Sequence, residues 1–193
     1  MKKNTVFMIL ITISLVACQT VSQPDAESAD QIEISNIETK KKPKNLLFNG
    51  DFNCGFNHWE GIVHENEGAE ASFITENNKL SVTISKPGTS NWHIQVIQSG
   101  IPLEQSTEYQ VTVEMAATQE RSVDLAVSRN GGASGIDFSY YGTTNVSLTT
   151  EMQAYTFSFV MNEPNDDDSR FVIEIGGQTG DVEIQNVVIE KNE

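Results

Sequence analysis

Residues 107–117 read TEYQVTVEMAA, and their spacing decides the fold. Tyr109, Val111, Val113, Met115 and Ala117 alternate with Gln110, Thr112 and Glu114. A helix would spread these apolar residues around its axis, whereas successive side chains of a strand point to opposite faces. The stretch is therefore read as a strand with one buried and one open face. Outward from it, QAYTFSFVM (153–161) repeats the pattern through Tyr155, Phe157, Phe159 and Met161. Leu80, Val82 and Ile84 do the same, as do Val123, Leu125 and Val127, and Phe171, Ile173 and Ile175. Near the end of the chain Val182 and Ile184 keep one phase and Val187 and Ile189 the other, a slip that predicts a bulge at Gln185 and Asn186.

No segment keeps a helical period of useful length. Turn signals at Lys86-Pro87-Gly88, Asn130-Gly131-Gly132 and Gly176-Gly177 punctuate the strands at short spacing. About ten strands in one domain of this size predict an all-β fold, two antiparallel sheets packed as a β-sandwich of the jelly-roll type.

The domain occupies residues 45–193. Residues 1–17 read as an export signal, with Lys2 and Lys3 followed by the apolar run VFMILITISLV, too short to span a membrane. The ending Leu15-Val16-Ala17-Cys18 resembles a bacterial lipobox, which implies cleavage before Cys18 and a diacylglycerol on its thiol. Residues 18–44 then form the lipidated cysteine and a polar tether that lacks aromatics. Too little apolar surface is available there to offset the entropy of ordering. The expected location is the bacterial cell envelope, facing outward, with the membrane reached through the lipid. With Cys18 taken by lipid, Cys54 has no second thiol in the chain and is read as a passive turn residue.

Charge excludes some partners. Residues 45–193 hold six basic and 22 acidic residues, a balance of −16. Such a field repels nucleic acid and anionic polymers, leaving neutral or cationic ligands. Catalytic signatures are absent: there is no G-x-S-x-G elbow, no H-E-x-x-H, no phosphate-cradling glycine loop and no cysteine pair for zinc. The spacing of His58, His64 and His93 does not suggest a metal centre, and Asn165-Asp166-Asp167-Asp168 reads as a solvated hairpin loop. No catalytic residue and no metal ligand is assigned.

Three segments, in order, resemble the carbohydrate-binding modules of families 4, 9 and 22, galactose-binding-like jelly rolls. NLLFNGDF…GFNHW (45–59) is similar to their opening strand, turn and G-x-x-x-W approach to the second strand. NWHIQVIQSGIPLEQSTEYQVTVEMAA (91–117) resembles their middle block. QAYTFSFVM…RFVIEIGGQTGDVEIQNVVIE (153–190) resembles their close. The family turn usually ends in glutamate where Asn53 stands, and the last strand usually has aspartate where Gln185 stands. Those carboxylates commonly help hold a structural calcium, and a hard cation prefers charged oxygen ligands. The expectation is therefore no cofactor, with at most a weak calcium site on backbone carbonyls.

The resemblance implies a groove on one sheet that binds a neutral glycan chain (β-glucan, xylan or mannan) without catalysis. The residues agree. Arg170 and Glu174 fall on the phase opposite to Phe171, Ile173 and Ile175, and Gln95 opposes Ile94 and Val96. Planar polar groups suit paired hydrogen bonds to sugar hydroxyls, and an aromatic ring covers the apolar face of a pyranose. Trp92, Tyr140 and Tyr141 are the aromatic candidates, and Asn130 is a further polar one. Trp92 shares phase with Ile94 and Val96, so it belongs either to the core or, turned by a bulge, to the groove. One of Tyr140 and Tyr141 is expected to face inward, and Arg170 and Glu174 either meet ligand or pair with each other. His93 shares phase with Gln95 and is placed at the groove edge. A glycoside hydrolase or a glycan transporter is the implied companion. The alternative is a sandwich that binds protein, as an adhesin or assembly subunit.

Overall fold

The protein is described here from a computed structural model, over residues 44–192. The expected signal peptide, Cys18 and all of the tether but Lys44 lie outside the described residues. Ten strands form: β1 (Glu60–Val63), β2 (Ala69–Glu76), β3 (Lys79–Pro87), β4 (Ile94–Leu103), β5 (Glu108–Ala117), β6 (Arg121–Ser128), β7 (Tyr140–Leu148), β8 (Gln153–Val160), β9 (Asp166–Glu174) and β10 (Gly180–Lys191). Of these, β3, β5, β6, β8, β9 and β10 carry the alternation read from the sequence. They build two five-stranded sheets, ordered β1-β4-β9-β6-β7 and β2-β3-β10-β5-β8. Every pairing is antiparallel. The architecture is the two-sheet β-sandwich expected.

The alternating residues meet between the sheets. Tyr109, Val111, Val113 and Met115 of β5 are fully buried, against Val123, Leu125 and Val127 of β6 and Phe171 and Ile173 of β9. The predicted slip in β10 is a bulge between Gln185 and Val188, with Asn186 at φ 49°. It changes the phase so that Val187 and Ile189 stay in the same core as Val182 and Ile184. The run Asp166-Asp167-Asp168 does not form the loop expected of it. It begins β9, where Asp166 accepts the backbone N–H of Asp168 at 2.9 Å and the Tyr141 hydroxyl at 2.6 Å.

The opening segment docks on β10 without forming a named strand. Leu46 donates its N–H to Ile189 O at 2.8 Å, and Val187 N–H donates to Gly50 O at 2.8 Å. The Asn45 side chain donates to Val187 O and accepts from the N–H groups of Leu47 and Ile189. Gly50 is required by that contact, because a Cβ there would lie 2.1 Å from Val187 O. The asparagine content has a similar cause. Asn49 sits at φ 51°, a region that asparagine tolerates, and its side chain binds Gly55 O, Asn57 O and the Cys54 N–H. Cys54 is not the passive, unpaired residue expected, because it is not a free thiol.

The amides at the family's usual calcium position are weak ligands for the ion. Asn53 turns its amide N–H to Asp51 at 2.9 Å, while Gln185 turns its own to Glu114 at 2.8 Å. Each is a neutral amide tied to a carboxylate of its own, so neither brings a charged oxygen to a cation. Melting temperatures in chelator and in millimolar calcium should agree within about 2 °C. A rise of about 10 °C in calcium, the scale of tight linkage to the native state, would show a site that these residues do not reveal.

Candidate functional site

Residues of the β1-β4-β9-β6-β7 sheet that do not enter the core face outward, and the pairing registers sort them into three rows across the strands. The first row is Ile62, Gln95, Glu174, Asp124 and Asn145. The second is Glu60, Ile97, Val172, Ala126 and Thr143. The third is Ser99, Arg170, Ser128 and Tyr140.

The middle row is apolar. Ile97, Val172 and Ala126 form a buried cluster of their own with Ile62 packed against it, separate from the sandwich core. Polar groups flank it on both sides. In the first row Gln95 donates from Nε2 to Glu174 Oε1 at 2.9 Å. Asp124 accepts from Asn91 at 2.8 Å and from Asn145 at 2.5 Å. In the third row Arg170 donates from Nε to Ser128 Oγ at 3.0 Å, and its guanidinium lies 4.3 Å from the centroid of the Phe138 ring.

Arg170 and Glu174 were expected on an open face. They do project outward, but they are only 8% and 6% exposed. Among the described residues they make no ion pair with each other, since each has neutral partners instead. Burial pulls the Arg170 guanidinium below its usual range, opposed by the Glu174 charge. Burial likewise pushes the Glu174 carboxyl up. Asp124 adds to that shift, while the Gln95 bond and Arg170 oppose it. Tyr140 is half exposed, and burial together with the Glu174 charge keeps its hydroxyl protonated as a donor.

Glu174 therefore carries a proton in the folded protein at a pH where the unfolded chain has released it. Unfolding releases that proton, so stability is fully present below the ordinary carboxylate value and falls as pH rises through the folded one. Glu174→Gln keeps an oxygen for Gln95 and removes the charge. It should raise the melting temperature at pH 7, with the gain vanishing as acid neutralises the wild-type carboxyl. A melt series from pH 3 to pH 8 checks this, and a gain that persists at the acid end would contradict it.

Trp92 belongs to neither simple alternative. It lies on a short 3-10 turn, Asn91–His93, just before β4, which takes it out of the strand phase it was read in. It is 44% exposed and stands edge-on to His64 at 4.8 Å, at the end of the sheet where its neighbour Asn91 reaches Asp124. That end is fixed from below. Arg121 donates from Nη2 to the carbonyls of Ile175, Gly176 and Gln178, and Gly176 N–H donates to Asn91 O at 2.7 Å. His93 is buried under the Gly88 turn, where its Nδ1 accepts from Thr89 N–H at 3.1 Å, and so is not an edge residue.

The structure thus brings Gln95, Glu174, Arg170 and Tyr140 onto one face, with Trp92 at one end. It separates Tyr141 and Asn130 from them. These two line a cavity beyond the third row, where the Tyr141 hydroxyl donates to Asp166 and Asn130 donates to Asp168. Phe138, Asn91 and Asp124 were missed. Phe138 and Asn91 come from non-periodic segments, and Asp124 gains meaning only from the register of β6 on β9. Among the described residues, no group of three or more His, Cys, Asp or Glu is placed to hold a metal ion.

A family model described as "Carbohydrate binding domain" matches residues 44–181. A solved structure described as "CBM4 structure and function" superposes with TM-score 0.67 at 22% identity, covering 75% of this chain and 99% of that one. The second N-terminal cellulose-binding domain of β-1,4-glucanase C from Cellulomonas fimi gives TM-score 0.63 at 16% identity, covering 80% of this chain and 98% of that one. At these identities the superpositions show the shared fold. A search of curated protein sequences gives no match.

Proposed function

This chain belongs to the carbohydrate-binding domain family, typically non-catalytic, and on that premise we propose that it holds a neutral polysaccharide of β-glucan, xylan or mannan type. The observation that carries the reading is the pair of outward polar rows, Gln95-Glu174-Asp124 and Arg170-Ser128-Tyr140, set on either side of a buried apolar floor. Ile97, Val172 and Ala126 are 3%, 0% and 1% exposed, so they form a floor beneath the polar side chains, and a glycan laid across the strands meets the exposed rings of Tyr140 and Trp92 with its apolar faces. Its hydroxyl edges then meet Gln95, Glu174 and Asp124 on one side and Arg170 and Tyr140 on the other. Trp92 offers a stacking ring at the end. A relative of the same fold is named for binding cellulose, which supports a β-linked chain.

Titration calorimetry with cello-, xylo- and manno-oligosaccharides tests this. Five strands span about 20 Å, so affinity should rise with chain length and level off once that width is filled. Salt should change it little, because the ligand carries no charge to screen. Absence of binding to all three series at millimolar concentration, or a steep salt dependence, would overturn the reading.

We place the protein at the outer surface of a bacterial envelope, held by lipid on Cys18, where it would retain glycan for a glycoside hydrolase or transporter. The lipobox-like Leu15–Cys18 motivates this. Several acyl chains on one cysteine anchor firmly, whereas one alone is marginal. Cys18→Ser should leave the protein unprocessed or in the soluble fraction. One sulfur cannot carry both a thioether and a disulfide, so mass spectrometry finding Cys18 joined to Cys54 in the mature protein would exclude the anchor.

A further inference from the structure

The cavity that takes Asn130 and Tyr141 away from the groove has a place of its own relative to it. It measures about 350 Å³ and is lined by Arg129, Asn130, Tyr141, Asp166 and Asp168, among others. Two of these lie one step past the third row of the groove, on neighbouring strands or their ends. Asp168 is two residues before Arg170 on β9 and Asn130 two after Ser128 of β6, whereas Tyr141 of β7 stands between Tyr140 and Gly142. The ladder shifts between Val127 and Ser128 of β6, where Gly142 and Tyr140 are their partners and Tyr141 is left over as a bulge. That bulge turns Tyr141 off the face that Tyr140 shares with Arg170, toward Asp166.

The cavity is therefore displaced from the groove along the strands, whereas the proposed glycan runs across them. A chain lying across the strands between the polar rows passes beside the cavity without entering it, and only a substituent on that chain reaches in. From this, and resting on the glycan reading above, we infer that the ligand is a branched glycan and that this cavity holds a neutral single-sugar branch.

The volume lies at the small end of small-ligand pockets, about 300 to 1,000 Å³, which suits one ring better than a second chain. The lining is pre-organised for hydroxyls. Tyr141 is fixed on Asp166 at 2.6 Å, Asn130 rests on Asp168 at 3.3 Å, and the carboxylates keep acceptor capacity for sugar O–H donors. The charge argues against an acidic branch. Arg129, the cation in the lining, is already paired with Asp137 at 3.2 Å and Glu163 at 3.6 Å, so a uronic acid would meet uncompensated aspartates.

The test is calorimetry on the purified protein with matched probes: xylo-oligosaccharide with and without an arabinose branch, cello-oligosaccharide against its xylose-branched form, and manno-oligosaccharide against its galactose-branched form. At least one branched member should bind about tenfold tighter than its linear partner, the sum of one or two net hydrogen bonds. Asn130→Ala and Asp168→Ala should each reduce that difference while leaving the linear partner unchanged, and Arg170→Ala should weaken both. A glucuronic-acid-branched xylo-oligosaccharide should bind no better than the linear one. Equal binding of linear and branched members in all three pairs overturns the branch site and leaves the groove standing. So does an equal loss of linear binding in the Asn130 and Asp168 variants. If no member of any pair binds, the groove reading falls and takes this one with it.

Discussion

Arg170→Ala should reduce glycan affinity about 100-fold, the largest loss expected from any single change in the groove. Two contributions combine. A charge-assisted hydrogen bond from a guanidinium is worth about 1.5 to 3 kcal/mol, and Arg170 is 92% removed from solvent without an acidic partner in contact. Water competes poorly for its remaining N–H groups. The same guanidinium lies under Phe138 at 4.3 Å, a contact worth about 0.5 to 2 kcal/mol that holds the ring beside the groove. Losing both exposes Phe138 to rearrangement as well as removing the donor, and about 3 kcal/mol in total corresponds to the stated factor. Arg170→Lys should recover only part of it, because an ammonium lacks the planar fork and the stacking surface. Stability should change far less than affinity, since Arg170 occupies the outer face and not the core between the sheets. Calorimetry with the best-binding oligosaccharide, alongside a thermal melt, separates the two. Wild-type affinity in Arg170→Ala would remove this residue from the site, and a collapse of the melting temperature would make it a structural residue instead.

The fold was legible because a sandwich imposes period two on every strand. The alternation in 107–117 and 153–161 could not be satisfied by a helix, and even the β10 bulge was visible, since Val187 and Ile189 had to return to the core. Part of the site was legible for the same reason: once Phe171, Ile173 and Ile175 are assigned inward, Arg170 and Glu174 must point outward. Their burial was not legible. It depends on neighbours across the sheet and on Phe138, which arrives from the segment between β6 and β7. Phase alone also misled for Trp92. Counting back by two from Ile94 assumes an extended chain, and the 3-10 turn at Asn91–His93 breaks that assumption one residue before the strand begins. Tyr140 and Tyr141 show the converse limit. Adjacent residues were expected to diverge, but the direction Tyr141 takes was set by a bulge that no periodicity announces.

The opening turn carries the largest stability effect. Trp59→Ala should destabilise the domain by about 3 to 5 kcal/mol, the range for deleting a buried aromatic side chain, and lower its melting temperature by about 10 °C or more. Trp59 is 7% exposed and packs on Phe52 with ring centroids 5.2 Å apart. Its Nε1 donates to Asn49 O at 3.0 Å, on the residue whose side chain also holds Gly55, Asn57 and Cys54. Removing the indole thus opens a cavity and releases the carbonyl that ties the turn to the core. Trp59→Phe separates these effects: it keeps most of the packing and loses the hydrogen bond, so it should cost about 1 kcal/mol for that bond plus a smaller packing loss. The segment Asn45–Gly50 is docked on β10 through Leu46 and Gly50, and the turn that Trp59 fastens sets its register there. Amide hydrogen exchange should therefore quicken first at Val187 and Ile189, whose N–H groups bond to Gly50 O and to the Asn45 side chain. Protection retained at those two amides in Trp59→Ala, with an unchanged melting temperature, would show that the opening turn decorates the sandwich and does not belong to its core.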